Sequence, residues 1–261
     1  MIGVTQLRGV VYVIYITGFS SAIRRYNATT HQRLTDIDMG LKLNYPWDIA
    51  ACELTSQLYV ADNCECVWRV SSDGEDIQRW LTRSPSDTFG PWALSVTSSR
   101  LLVTPFIESQ LRQFDAAGGD ELRRVGLPDY MSPYHAVESP TGTFIVGYNN
   151  RQLNQCQVSE VNTEGQVLRQ FSGSSLGCPI RVAVDRQGNI FVADSAMHHI
   201  LLLDAQLALR RVIIDARQLS DKKPERLNYL PWPRFCYTDQ SGQLLVGFIE
   251  GSVTVFAVRQ Q

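Results

Sequence analysis

The sequence predicts an all-β protein, a six-bladed β-propeller with four-stranded antiparallel blades and an incomplete last blade. Three observations predict it. A strand–turn–strand block runs from Asn189 to Asp194, through Ser195 to His199, and on from Ile200 to Asp204; a weaker copy runs Leu58 to Asp62, Asn63 to Cys66 and Val67 to Val70. Similar units recur with a period of roughly 45 residues, the spacing of propeller blades. Each unit holds short apolar runs separated by turn residues, and such a sheet buries both faces only by stacking against like sheets around an axis.

The 261 residues read as a single domain, with blades at approximately 1–44, 45–88, 89–130, 131–176, 177–222 and 223–261. In the first, Ile2 to Gln6 supplies the inner strand, Val10 to Thr17 the second and Ala22 to Asn27 the third. Later units open on a proline: Pro46-Trp47-Asp48, Pro91-Trp92-Ala93, Pro133-Tyr134-His135, Pro179-Ile180-Arg181 and Pro231-Trp232-Pro233. A polar turn such as Asp185 to Asn189 or Glu138 to Gly142 follows, and then the most apolar strand. The fourth strands, Ile77 to Leu81, Leu122 to Leu127, Gln166 to Phe171 and Leu209 to Ile214, carry Arg79, Arg123, Arg124, Arg169, Arg210 and Arg211. Charge on an outer edge strand discourages edge-to-edge association, so these arginines read as edge protection. The sixth unit ends at Val258 after its third strand.

Net charge is -2, so no global charge pulls the chain toward nucleic acid or an anionic membrane. No apolar run approaches the roughly 20 residues of a membrane helix. Cys52, Cys64, Cys66, Cys156, Cys178 and Cys236 show no metal spacing and dictate no pairing. Free cysteine is commonly a small buried apolar residue, which points to a reducing, cytoplasmic setting.

Pro179, Val184-Asp185, Gly188 to Ser195, His199-Ile200 and Asp204 together resemble the NHL-repeat family. Tyr59 to Asn63 supports the resemblance; the other units keep the apolar skeleton and lose the Val-Ala-Asp signature. The resemblance implies a six-bladed binding platform, of the kind found at the C-terminus of tripartite-motif ubiquitin ligases, where it selects protein or RNA. No RING or B-box array is present, so ligase chemistry would lie outside this chain.

Asp62 and Asp194 end apolar strands at tight turns, where a carboxylate accepts backbone N–H groups; they read as caps, not acids. Adjacent strand residues face opposite ways, so His198-His199 is a poor chelate. The candidate binding residues follow the unit-opening prolines: Trp47, Asp48, Trp92, Tyr134, His135, Arg181 and Arg234. They enter the channel-lining strands, and aromatic and Arg side chains are typical of binding hot spots. Asp48, His135 and Arg181 are expected at a surface, so that replacing all three should remove binding and spare stability. The expected partner is a protein, with no cofactor, metal or catalytic residue. Single-stranded RNA stacking on the aromatics is the first alternative. The second is a gluconolactonase-like metal-dependent hydrolase, for which Asp48 and His135 beside Arg181 make a poor cation site.

Overall fold

The computed structural model describes residues 3–17, 20–62, 65–82, 90–105, 108–171, 176–178, 180–215, 233–238, 243–248 and 253–257. Blade one consists of β1 (Gly3–Leu7), β2 (Val10–Thr17), β3 (Ser20–Asn27) and β4 (Ile37–Gly40). Blade two is β5 (Pro46–Cys52), β6 (Gln57–Asp62), β7 (Cys66–Ser71) and β8 (Ile77–Thr82). Blade three is β9 (Pro91–Thr97), β10 (Arg100–Pro105), β11 (Gln110–Asp115) and β12 (Glu121–Gly126). Blade four is β13 (Met131–Glu138), β14 (Phe144–Asn150), β15 (Gln155–Val161) and β16 (Val167–Phe171). Blade five is β17 (Ile180–Val184), β18 (Ile190–Asp194), β19 (His199–Leu203) and β20 (Leu209–Asp215). Every blade is an antiparallel meander in chain order. A sixth sheet, β21 (Pro233–Thr238), β22 (Gln243–Phe248) and β23 (Val253–Ala257), has three strands. Of the expected six blades with an incomplete last one, five four-stranded blades are found, and the sixth is not established by this three-stranded sheet.

The core is divided into wedges between neighbouring sheets. Ile14, Ile23 and Met39 of blade one meet Leu58, Val60 and Val70 of blade two. Tyr59 and Val67 meet Leu101 and Phe114, Leu111 and Val125 meet Phe144 and Tyr148, and Ile145 and Val158 meet Val192 and Leu201. On the three-stranded sheet, Leu244 and Val246 pack on Phe191 and Ala193 of blade five. Leu245 between them packs on Val4, Val11 and Val13 of blade one. The alternation of side chains along a strand lets one run of three apolar residues bind two neighbours.

Turns recur in one form. Asp185 Oδ1 accepts the N–H groups of Gln187 and Asn189, Asp204 Oδ1 those of Gln206 and Ala208, and Asn162 Oδ1 those of Glu164 and Gln166. At Gly165 the turn has φ +83° and presses on blade three, so that a Cβ there would lie 1.8 Å from the Gly126 carbonyl oxygen. No other residue fits both conditions.

The outer arginines pair largely within their own blades: Arg124 with Glu121, Arg169 with Glu160 and Arg210 with Asp204. Arg79 lies over the Trp68 ring. Cys52 and Cys66 are free and buried, whereas Cys156 and Cys178 form a disulfide with Cα atoms 5.8 Å apart. The expectation of free cysteines fails for that pair. Cys64 and the side chain of Cys236 lie outside the described residues. No described helix is long and apolar enough to cross a membrane.

Candidate binding face

Each innermost strand pairs on one side only, with the second strand of its blade. Its other edge faces the axis. Five inner strands carry equivalent residues at one level: Asp48 opposite Ala61, Ala93 opposite Thr104, His135 opposite Gly147, Arg181 opposite Ala193 and Phe235 opposite Gly247. Of the seven candidate residues, Asp48, His135 and Arg181 stand at this level.

The residue just before this level is special in four sheets. The register jumps from Pro46 to Asp48, from Pro91 to Ala93, from Pro133 to His135 and from Pro233 to Phe235. Trp47, Trp92, Tyr134 and Arg234 are therefore the extra residues of β-bulges, and at Trp47, Trp92 and Tyr134 the bulge re-aims the side chain out of the ladder. β17 lacks this jump. The Trp47 and Trp92 rings stack across blades two and three, centroids 4.2 Å apart and 31° between planes. Both are half-buried, as is Tyr134. Trp47 Nε1 is buried without a hydrogen-bond partner among the described residues. The Arg234 side chain lies outside the described residues.

Just below the bulges, Asp48, His135 and Arg181 are brought together, but not as a surface. They are 5%, 6% and 7% exposed. Arg181 Nη1 donates to Asp48 Oδ2 at 2.7 Å across the axis. Asp48 Oδ1 accepts Ile49 N–H at 2.9 Å, and Oδ2 accepts Leu94 N–H at 2.9 Å. His135 Nδ1 accepts Val182 N–H at 3.4 Å, and its Nε2 lies 3.9 Å from Asp48 Oδ2. Ile49, Leu94 and Val182 each follow a channel position, so these are the inner edge amides that no fifth strand satisfies. The trio is a hub that caps the free edges of blades two, three and five. This corrects the expectation of three exposed specificity residues. Charge did not keep Asp48 and Arg181 out of the interior, because each meets the other there, and His135 is buried as the neutral imidazole.

Burial pushes the Asp48 carboxyl up, while Arg181 and the two amides pull it back. All its contacts are donors, so the geometry uses the carboxylate. Burial, then the Arg181 charge, lowers His135 to about 3, so its imidazole is neutral. The hub borders a central cavity of about 170 Å³, walled by Thr5, Ile49, Val96, Val137 and Val184. Among the described residues no three His, Cys, Asp or Glu side chains are placed to hold a metal ion.

Asp62 and Asp194 act as expected. Asp62 accepts the N–H groups of Asn44 and Tyr45, and Asp194 those of Gly177 and Met197. Each clips the incoming inter-blade segment to the end of a second strand. His199 Nε2 lies 3.5 Å from Asp194 Oδ2 inside blade five.

The sequence reading missed the apolar margin of this face. Leu41 and Tyr45, just before Pro46, are 85% and 61% exposed, and Leu153 is 58% exposed. Leu153 follows Asn150, which pairs with Met131 at the start of β13, so it lies at the entrance end of blade four. Leu41 and Tyr45 sit in the segment that Asp62 caps, and that is the only signal that could have placed them.

Fold and site define a β-propeller that carries an NHL repeat and presents bulged aromatic residues around a plugged channel. The NHL repeat model matches residues 176–201, in blade five and the segment leading into it. A search of curated proteins finds no match. Among solved structures the chain is similar to Kuenenia stuttgartiensis hydrazine synthase, at TM-score 0.63 and 12% identity over 98% of this chain and 95% of that one. A chain of a nidogen/laminin complex gives TM-score 0.62 and 16% identity, over 83% of this chain and 81% of that one. Virginiamycin B lyase from Staphylococcus aureus gives TM-score 0.52 and 13% identity, over 83% and 71%. At these identities the likeness is one of fold.

Proposed function

We propose that the protein is a non-enzymatic binding module that docks a protein partner on the entrance face of a six-bladed propeller. One observation carries the reading: in four sheets the residue after the unit-opening proline is bulged out of the ladder, and it is Trp47, Trp92, Tyr134 or Arg234. Exposed Leu41, Tyr45 and Leu153 extend that apolar surface, as a protein interface requires and a phosphate backbone does not. The sixth blade is the three-stranded sheet wedged between blades five and one. Against the hydrolase alternative, Asp48 is committed to Arg181 and two amides. The Cys156–Cys178 bond favours an oxidising compartment over the cytoplasm expected from composition.

The test is a crosslinking pull-down from lysate of the protein's own source, with and without RNase, run beside Tyr45→Ser/Leu153→Ser. Both replaced side chains are exposed, so the variant should fold. A partner that survives RNase and is lost in the variant supports the reading. Recovery only without RNase would put RNA in its place, and equal capture by the variant would move the surface elsewhere.

A further inference from the structure

We propose that the Cys156–Cys178 disulfide is a redox-cleavable latch that holds the entrance ring together between blades four and five. Cys156 stands near the start of β15, opposite Asn149, at the entrance end of its blade. Cys178 stands in the segment that leads into β17. The bond therefore joins the aromatic side of the ring to the strand that delivers Arg181. Both cysteines pack in one cluster with Tyr134, Leu176 and Val182. Tyr134 is a bulged ring residue, so the disulfide buttresses the proposed binding surface from beneath.

The segment is held at three points. Cys178 is bonded to Cys156. Gly177 N–H donates to Asp194 Oδ2 at 2.6 Å, and a Cβ at Gly177 would lie 2.5 Å from the Ala196 side chain, so the chain is pressed onto that turn. Arg181, three residues on, reaches Asp48. Cutting the first point leaves two polar clips on a short segment whose described residues before Ile180, 176–178, carry no ladder pairing.

Access is asymmetric. Cys156 is 3% exposed, whereas Cys178 is half-buried. A thiolate of an external dithiol would attack Cys178 Sγ, form a mixed disulfide and release Cys156 as a thiolate, which takes up a proton. The second thiol of the reagent then displaces Cys178 as a thiol. Two electrons pass from the dithiol, which ends as a disulfide, to the protein pair, which ends as two thiols. The two free cysteines among the described residues do not compete. Cys52 Sγ donates to the Ser98 carbonyl, and burial, then Asp62, pushes the Cys66 thiol up to about 11. Release of the latch loosens Tyr134 and the approach to Arg181. On the reading that the ring is the binding face, this lowers partner affinity.

The experiment uses the full chain and needs no partner, so its failure is separate from failure of that reading. Hydrogen exchange is followed by mass spectrometry with and without dithiothreitol, and alkylation of Cys156 and Cys178 is measured in parallel. Reduction should raise exchange several-fold in peptides covering 131–136 and 176–184. Peptides covering 57–70 and 100–114 should keep their protection. Cys156→Ser/Cys178→Ser should reproduce the reduced pattern; if it does not fold, the reduced native chain still decides. Three results would overturn the proposal: alkylation of both cysteines before reduction, loss of protection in all blades together, or no change in any peptide.

Discussion

Asp48→Ala removes the carboxylate that meets Arg181 across the axis. It takes the Asp48 carboxylate from the buried Arg181 guanidinium, and it removes the acceptor of the Ile49 and Leu94 amides. Breaking a buried ion pair from one side costs about 3–5 kcal/mol, and each orphaned buried donor about 1–3 kcal/mol, with these losses overlapping rather than adding. We take about 3–5 kcal/mol as the loss, a large share of the roughly 5–15 kcal/mol that holds a domain together. At about 2–4 °C per kcal/mol for a chain somewhat smaller than this one, the melting midpoint should fall by on the order of 6–20 °C. Arg181→Met should cost less, since it leaves an acid that can protonate, and Asp48→Ala/Arg181→Met should cost less than the two singles combined. The assay is urea unfolding followed by circular dichroism for wild type, both singles and the double. A loss below about 1 kcal/mol for Asp48→Ala, with an additive double, would refute the hub. The same result would restore these residues to the exposed surface that the sequence suggested.

The neutral His135 adds a pH dependence. Its folded value near 3 lies below the unfolded 6.5, so between these values the unfolded chain holds the extra proton and stability falls as pH falls. At about 1.4 kcal/mol per pH unit, the contribution lost by pH 5 is roughly 2 kcal/mol. His135→Gln should flatten the drop between pH 7 and pH 5, and equal slopes in the two proteins would speak against it. Gly165→Ala should cost more than the roughly 1–2 kcal/mol of a left-handed backbone alone, because its Cβ meets the Gly126 carbonyl; a neutral result in thermal melts would mean that blades three and four sit farther apart. Asp194→Ala should destabilise by about 2 kcal/mol and raise exchange at Gly177 and Met197, whose amides it caps; unchanged exchange at both would remove the cap.

Strand positions and blade phase were legible because they rest on period-two apolar runs and on turn residues that need particular backbone angles. Gln243 to Phe248 shows this: its apolar run marks a strand whatever surrounds it. The channel level was legible too, since an opening proline sets the same register in unit after unit. The fate of the charges at that level was not. Asp48 and Arg181 lie 133 positions apart, and only closure of the ring brings them to 2.7 Å. Nothing local distinguishes an aspartate that meets water there from one that meets a guanidinium. The disulfide was hidden for the same reason, because Cys156 and Cys178 belong to different blades. The aromatic residues were seen for what they are chemically, but the bulges that turn them out of the ladder belong to pairing between strands and leave no mark in either strand alone.

Those bulges separate two tasks that most strand residues perform at once. A side chain in the ladder must satisfy its cross-strand neighbours whatever else it does. Trp47, Trp92 and Tyr134 stand beside the ladder, and the pairing closes around them from Pro46 to Asp48, Pro91 to Ala93 and Pro133 to His135. Their identities can drift while the sheet hydrogen bonds stay as they are. A library randomised at these three positions would sample new recognition surfaces on an unchanged frame. On the reading that the ring is the binding face, related chains would be free to share this architecture and yet greet different partners.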